Sequence, residues 1–155
     1  MVLRSKDGFA MIVSMASTIP ARNERVSSTP INGSAADLRY ATIAQHCILL
    51  EGPAVSIEVV LSFLEPYLRE PVTWNPRGTR LRLPPDSCGA LVLQNVSGLN
   101  RDDQARLLAW LNDPSHQTQI VSATTAPLFP LVCANLFDAT LYYRLNVVRC
   151  PLDQT

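Results

Sequence analysis

Apolar residues in this chain fall into short continuous runs and into longer stretches with helical spacing. Cys47-Ile48-Leu49-Leu50 is a continuous run, the pattern of a strand covered on both faces. Glu51-Gly52-Pro53 turns the chain. Val55 to Glu65 then predicts a largely buried helix, with Val55, Val59 and Phe63 at four-residue spacing, and Pro66 breaks or bends it. Pro71 to Leu83 predicts one or two short strands about the turn Asn75-Pro76-Arg77-Gly78, the alternation Thr79-Arg80-Leu81-Arg82-Leu83 fitting a half-exposed strand. After the break Pro84-Pro85-Asp86, Ala90-Leu91-Val92-Leu93 reads as a second buried strand. Asn100 is placed to N-cap a helix from Arg101 to Leu111, with Asp102 and Asp103 at its positive end and Leu107, Leu108 and Leu111 on its buried face. Asn112-Asp113-Pro114 stops it. Thr118 to Ala123 predicts a strand, Leu128 to Leu136 a helix with Asn135 suited to a left-handed C-cap, Asp138 to Leu145 a short helix, and Asn146 to Cys150 the last strand. Upstream, Ala35 to Gln45 is a short helical candidate.

Strands alternating with helices imply an α/β fold: a three-layer αβα sandwich around a mostly parallel five-stranded sheet. The 155 residues suit one domain. Residues 17–36, rich in Ser, Thr, Pro, Asn and Gly, read as linker. Residues 1–30 are expected to be a poorly ordered leader, and 31–155 the folded core.

Charge changes this picture little. Thirteen basic and thirteen acidic residues balance, so no overall field draws the chain to nucleic acid or to an anionic membrane, and direct DNA binding is not expected. Near-zero net charge permits self-association. No apolar run approaches the ~18 residues of a membrane span. The apolar stretch near the start is too short and interrupted to read as a signal peptide. Cys47, Cys88, Cys133 and Cys150 are widely spread, without the spacing of a metal site or a disulfide framework, and His46 and His116 supply no further ligands. Reduced thiols in a cytoplasmic protein without a bound metal are expected. Lys6 is the only lysine, so chemistry that needs a lysine inside the core is excluded.

Phe137-Asp138-Ala139-Thr140-Leu141-Tyr142-Tyr143-Arg144-Leu145-Asn146-Val147-Val148 resembles the F-R-E-D-L-Y-Y-R-L-N-V-V segment of the AAA+ ATPase domain in sigma-54-dependent transcription activators. Ala90 to Leu99, continuing through Gln104 to Leu108, is similar to that family's T-L-F-L-D-E-I-G-E-L…Q-A-K-L-L. Ile120 to Val148 follows the family from its sensor strand to its arginine-finger segment. Ile31-Asn32-Gly33-Ser34 loosely resembles the I-x-G-x-S motif that opens the domain. The resemblance runs from about Ile31 to Leu152 and implies a P-loop NTPase-like core. The chain stops at Thr155, so a core without the helical lid or the helix-turn-helix domain is expected.

The family's hydrolytic parts are another matter. A phosphate loop G-x-x-x-x-G-K-S/T wraps phosphates with backbone N–H groups and neutralises them with its lysine. The corresponding stretch is Gly52-Pro53-Ala54-Val55-Ser56-Ile57-Glu58. Aligning Glu58 with the glutamate after the lysine puts Ile57 in the lysine's place, leaves the loop one residue short, and sets Pro53, which has no N–H, inside it. The Mg²⁺-holding aspartate and the water-polarising glutamate fall on Gln94 and Asn95, neutral amides that supply neither charge nor basicity. The sensor position falls on Thr125. The first arginine of the finger pair falls on Asp138 and the second on Arg144, either an interface arginine facing a neighbouring subunit or a helix-end salt-bridge residue. Between Pro71 and Gly89 there is no counterpart of the sigma-54-contacting G-A-F-T-G-A loop.

The expectation is therefore a non-catalytic AAA+-like regulatory or interaction module, a pseudo-ATPase without cofactor. Its partner would be a second copy of itself or a full-length AAA+ activator. The alternative is a divergent nucleotide-binding ATPase domain, with ATP and Mg²⁺ as cofactors and Arg69 or Arg77 replacing the lysine. A decaying fragment with no selected role is the third reading.

Overall fold

The computed structural model describes residues 35–85 and 89–152. The leader, the Ile31–Ser34 motif, Asp86, Cys88 and the last three residues lie outside these. Ten regular elements follow in order: α1 (Ala35–Ile43), β1 (Ile48–Glu51), α2 (Ala54–Leu64), β2 (Val72–Asn75), β3 (Ala90–Gln94), α3 (Arg101–Asn112), β4 (Gln119–Thr124), α4 (Leu128–Cys133), α5 (Ala139–Leu145) and β5 (Val148–Pro151). Single 3₁₀ turns at Glu65–Tyr67 and Val96–Gly98 follow α2 and β3.

The strands form one sheet in the order β2-β3-β4-β1-β5, and every pairing is parallel. The continuous apolar runs therefore belong to central strands. Ile48, Leu49, Leu50, Ala90, Leu91 and Val92 are wholly buried because helices cover both faces. On one face Ile48, Leu50, Val92 and Val121 pack under α1 and α2, through Leu38, Ile57, Val60, Leu61 and Leu64. On the other, Leu49, Leu91, Leu93 and Ile120 meet Leu107 of α3, Leu128 of α4, and Leu141 and Leu145 of α5. The expected three-layer α/β sandwich is the architecture found. At the sheet edge Arg149 of β5 reaches the buried carboxylate of Glu51 at the end of β1, at 2.8 Å.

Local chemistry sets the ends of the elements as read. Asn100 caps α3, its Oδ1 accepting the Asp103 N–H at 2.8 Å. Asn135 stands at φ 59° after α4, where its N–H and that of Leu136 return to the carbonyls of Val132 and Leu131. That pair of bonds closes the helix as a Schellman motif, so α4 ends at Cys133 rather than at Leu136.

Two further expectations are corrected. Residues 79–83 form no strand. Leu81 is buried against the α3 face of the sheet, but β2 ends at Asn75 and the segment pairs with nothing. The alternation reflects side chains dipping into the core from an irregular loop. In α2 the buried face is Ser56, Ile57, Val60, Leu61 and Leu64, whereas Val55 is 76% exposed and Val59 and Phe63 are only half-buried. The helix is apolar nearly all round, so two stripes competed and the tertiary contact chose between them.

Candidate functional site

In an open parallel sheet, ligands bind in the crevice beyond the carboxyl ends of the strands. Here β1 ends at Glu51, β3 at Gln94 and β4 at Thr124, and pairing sets the three ends side by side, with Glu51 opposite Thr124 and Gln94 opposite Ala123. A cavity of about 50 Å³ lies there, lined by Ala54, Ile57, Glu58, Arg77, Gln94, Asn95, Ala123, Thr124 and Thr125. Of the residues singled out in the sequence, the fold thus gathers Ile57, Glu58, Gln94, Asn95 and Thr125. Gly52 and Ser56 are not among the lining residues. Drug-sized ligands occupy cavities of roughly 300–1,000 Å³.

Only Gly52 and Pro53 connect β1 to α2. The Gly52 N–H donates to the Thr124 carbonyl at 3.1 Å, so it belongs to the sheet and not to an anion nest. The glycine is needed for another reason. A Cβ at Gly52 would stand 2.6 Å from the Leu152 Cβ and 2.7 Å from the Leu152 carbonyl oxygen. Pro53, extended, precedes the first turn of α2 and supplies no side-chain cap. Ile57, in the lysine's place, is 6% exposed and packed in the core with Leu50 and Ala123. Ser56 is buried on the same face.

The two amides after β3 hold backbone and neighbours in place. Gln94 Oε1 accepts the Arg77 N–H at 3.2 Å. Asn95 adopts the left-handed conformation at φ 61°, which asparagine tolerates, and its Oδ1 accepts the Ser97 hydroxyl at 3.3 Å. Gly98 leaves room for it, since a Cβ there would come within 2.7 Å of Asn95 Nδ2. The Thr124 hydroxyl closes a turn with Ala126, and Thr125 is exposed at the rim. Arg77 lines the cavity. Arg69, the other cation considered, does not: its guanidinium is directed at Gln45 Oε1, 3.5 Å away. Among the described residues no group of three His, Cys, Asp or Glu could hold a metal ion. The cavity's carboxylate is Glu58 alone, where the family sets an acidic pair after β3.

At the arginine positions, Asp138 is the N-cap of α5, its carboxylate accepting the Leu141 N–H at 2.8 Å. Buried Gln104 ties that corner to α3 by accepting the Asp138 N–H and donating to the Leu99 and Leu136 carbonyls. Among the described residues Arg144 forms no salt bridge. Its guanidinium donates to the Leu111 carbonyl at 2.6 Å, at the negative end of α3. It lies at the opposite end of β1 from Gly52, on a cavity of about 220 Å³ shared with Cys47, His116, Tyr143 and Val147. Burial pushes the Cys47 thiol up, opposed by a backbone hydrogen bond at Ile120 and the charge of Arg144.

A wider cavity, about 630 Å³, runs between α3 and the α4–α5 turn, past Arg101, Gln104, Leu108, Asn135 and Asp138. Its walls come from two segments far apart in the chain, the Gln104–Leu108 stretch and the start of the Phe137–Val148 stretch.

Residues 82–153 match the sigma-54 interaction domain. The fold agrees over a longer stretch. A crystal structure of NtrX from Brucella abortus in complex with ATP superposes with a TM-score of 0.59 at 19% identity, over 77% of this chain and 35% of that one. The ADP complex gives 0.61 at 18%, over 83% and 37%. The P-loop NTPase domain of a sigma-54 transport activator from E. coli gives 0.53 at 15%, over 74% and 95%. The chain spans about a third of the NtrX chains it matches. No curated protein matches it. The fold of the core is thus that of a P-loop NTPase domain. Among the described residues no helix is long and apolar enough to cross a membrane.

Proposed function

We propose that this chain is a non-catalytic, AAA+-like regulatory module, a pseudo-ATPase that acts through protein contacts. One observation carries the reading: the β1–α2 connection. It is two residues long, its glycine N–H is spent on Thr124, and buried Ile57 fills the place where a phosphate-binding lysine would stand. The engagement of Gln94 and Asn95 in holding backbone and the small cavity support it. Its partner is a second copy or a full-length AAA+ activator of the sigma-54 class, and exposed Arg144 is available to either. Titration calorimetry with a non-hydrolysable ATP analogue and Mg²⁺ is expected to show no binding. A micromolar dissociation constant would overturn the reading.

A second reading, a divergent nucleotide-binding ATPase domain, draws support from Arg77, a cation on the cavity wall. Phosphate release from ATP that disappears in Arg77→Ala would favour it.

A further inference from the structure

Between β2 and β3 the chain carries Arg77, Arg80 and Arg82 against a single carboxylate, Asp86. All three arginines are exposed, and among the described residues none forms an ion pair. The whole chain is neutral, so this positive charge is a local feature of one loop.

Three long side chains on a loose backbone would lose much of any binding energy to ordering. This backbone is held. The Arg77 N–H donates to Gln94 Oε1 at 3.2 Å and the Arg82 N–H to Asn75 Oδ1 at 3.1 Å. Thr79 bonds back to the Pro76 carbonyl through both its N–H and its hydroxyl. Trp110 of α3 donates Nε1–H to the Pro84 carbonyl at 3.0 Å. Buried Leu81 anchors the middle and leaves Arg80 and Arg82 exposed on either side of it. The anchors come from β2, β3 and α3, and one of them, Gln94, stands in the place of the family's aspartate.

We propose that this loop is a preformed docking surface for an acidic segment of a partner protein. Guanidinium forks on a fixed backbone suit a few carboxylates, each engaged bidentately. Nucleic-acid binders spread basic charge over a face or a whole domain, which this neutral chain does not. The proposal rests on the reading of the chain as an interaction module and names the chemistry of its partner.

Fluorescence anisotropy tests it with three labelled probes: a peptide of alternating glutamate and leucine, its glutamine counterpart, and a single-stranded DNA oligonucleotide of equal charge. The acidic peptide is expected to bind, and at least tenfold more weakly in Arg77→Gln/Arg80→Gln/Arg82→Gln. Arg39→Gln, on the opposite face of the sheet, should leave the affinity unchanged. Gln94→Leu should raise amide exchange over residues 77–82 and weaken the peptide several-fold with every arginine present. Should the triple variant not fold, Gln94→Leu and the salt dependence of wild-type binding decide. No binding of the acidic peptide, equal binding of the glutamine peptide, indifference to the arginines, or tighter binding of the oligonucleotide would each overturn the proposal. Calorimetry with ATP on the same sample keeps the two readings apart, since absence of both ligands strikes the docking surface alone.

Discussion

Gly52, Ile57, Gln94, Asn95 and Asp138 stand where the resembled family places catalytic groups, and each has a structural task here. Gly52 lets β1 pass Leu152, Ile57 fills core, Gln94 and Asn95 hold backbone and neighbours, and Asp138 caps α5. Gly52→Ala would force a methyl group onto backbone and Cβ of Leu152. Overpacking of this kind costs about 1–3 kcal/mol, and urea denaturation is expected to show a loss in that range. A glycine kept only for phosphate contact would tolerate the change. Cys150 supplies a pH test. Burial pushes its thiol from an ordinary 9.0 up to about 12, so the folded state favours the neutral form. Its stabilising contribution is complete below pH 9 and lost as pH rises from about 9 toward about 12, because the unfolded chain ionises first. The urea midpoint of the wild type should therefore fall more steeply between pH 9 and 11 than that of Cys150→Ala. A residual slope is expected from Cys47 and Tyr142, both shifted upward mainly by burial.

Element by element, the regular structure was legible wherever local pattern and tertiary contact agreed. Strands β1, β3 and β4 and helices α3 and α5 fall within a residue or two of the sequence reading, because continuous apolar runs, Asn100 and Asp138 are local signals. Helix α2 shows the limit. Its period was plain but its buried face was not, since Val55, Val59 and Phe63 offered a second stripe as apolar as the one chosen. The two faces predict opposite outcomes. Val60→Ala should cost about 2 kcal/mol by leaving a cavity, while Val55→Ala should change stability by less than about 0.5 kcal/mol. Guanidinium denaturation of the two variants checks this, and a larger loss from Val55 would return the helix to the orientation read from sequence. The segment 79–83 failed for a related reason: alternation reports which side chains are buried, and an irregular loop held by Gln94, Asn75 and Trp110 can bury the same set as a strand.

At the scale of the whole molecule, five parallel strands bring Gly52, Gln94 and Thr124 to one edge of the sheet, beside a cavity of about 50 Å³. A ligand present at a hundred times its dissociation constant stabilises a fold by about 2.7 kcal/mol, which moves the Tm of a domain this size by several degrees. Millimolar ATP with Mg²⁺ is expected to leave the Tm within about 1 °C of its unliganded value in a thermal melt. A rise of several degrees would mean that the edge opens to nucleotide. The sequence alone determined the α/β class, the absence of lysine from the described core and the amides at Gln94 and Asn95, because residue identity and local periodicity need no partner. Only the tertiary structure decided where the Gly52 N–H points, which face of α2 is buried, and that Arg77 rather than Arg69 reaches the cavity. Those are contacts between segments far apart in the chain. Their geometry comes from the packing of helices on the sheet, which no local pattern contains.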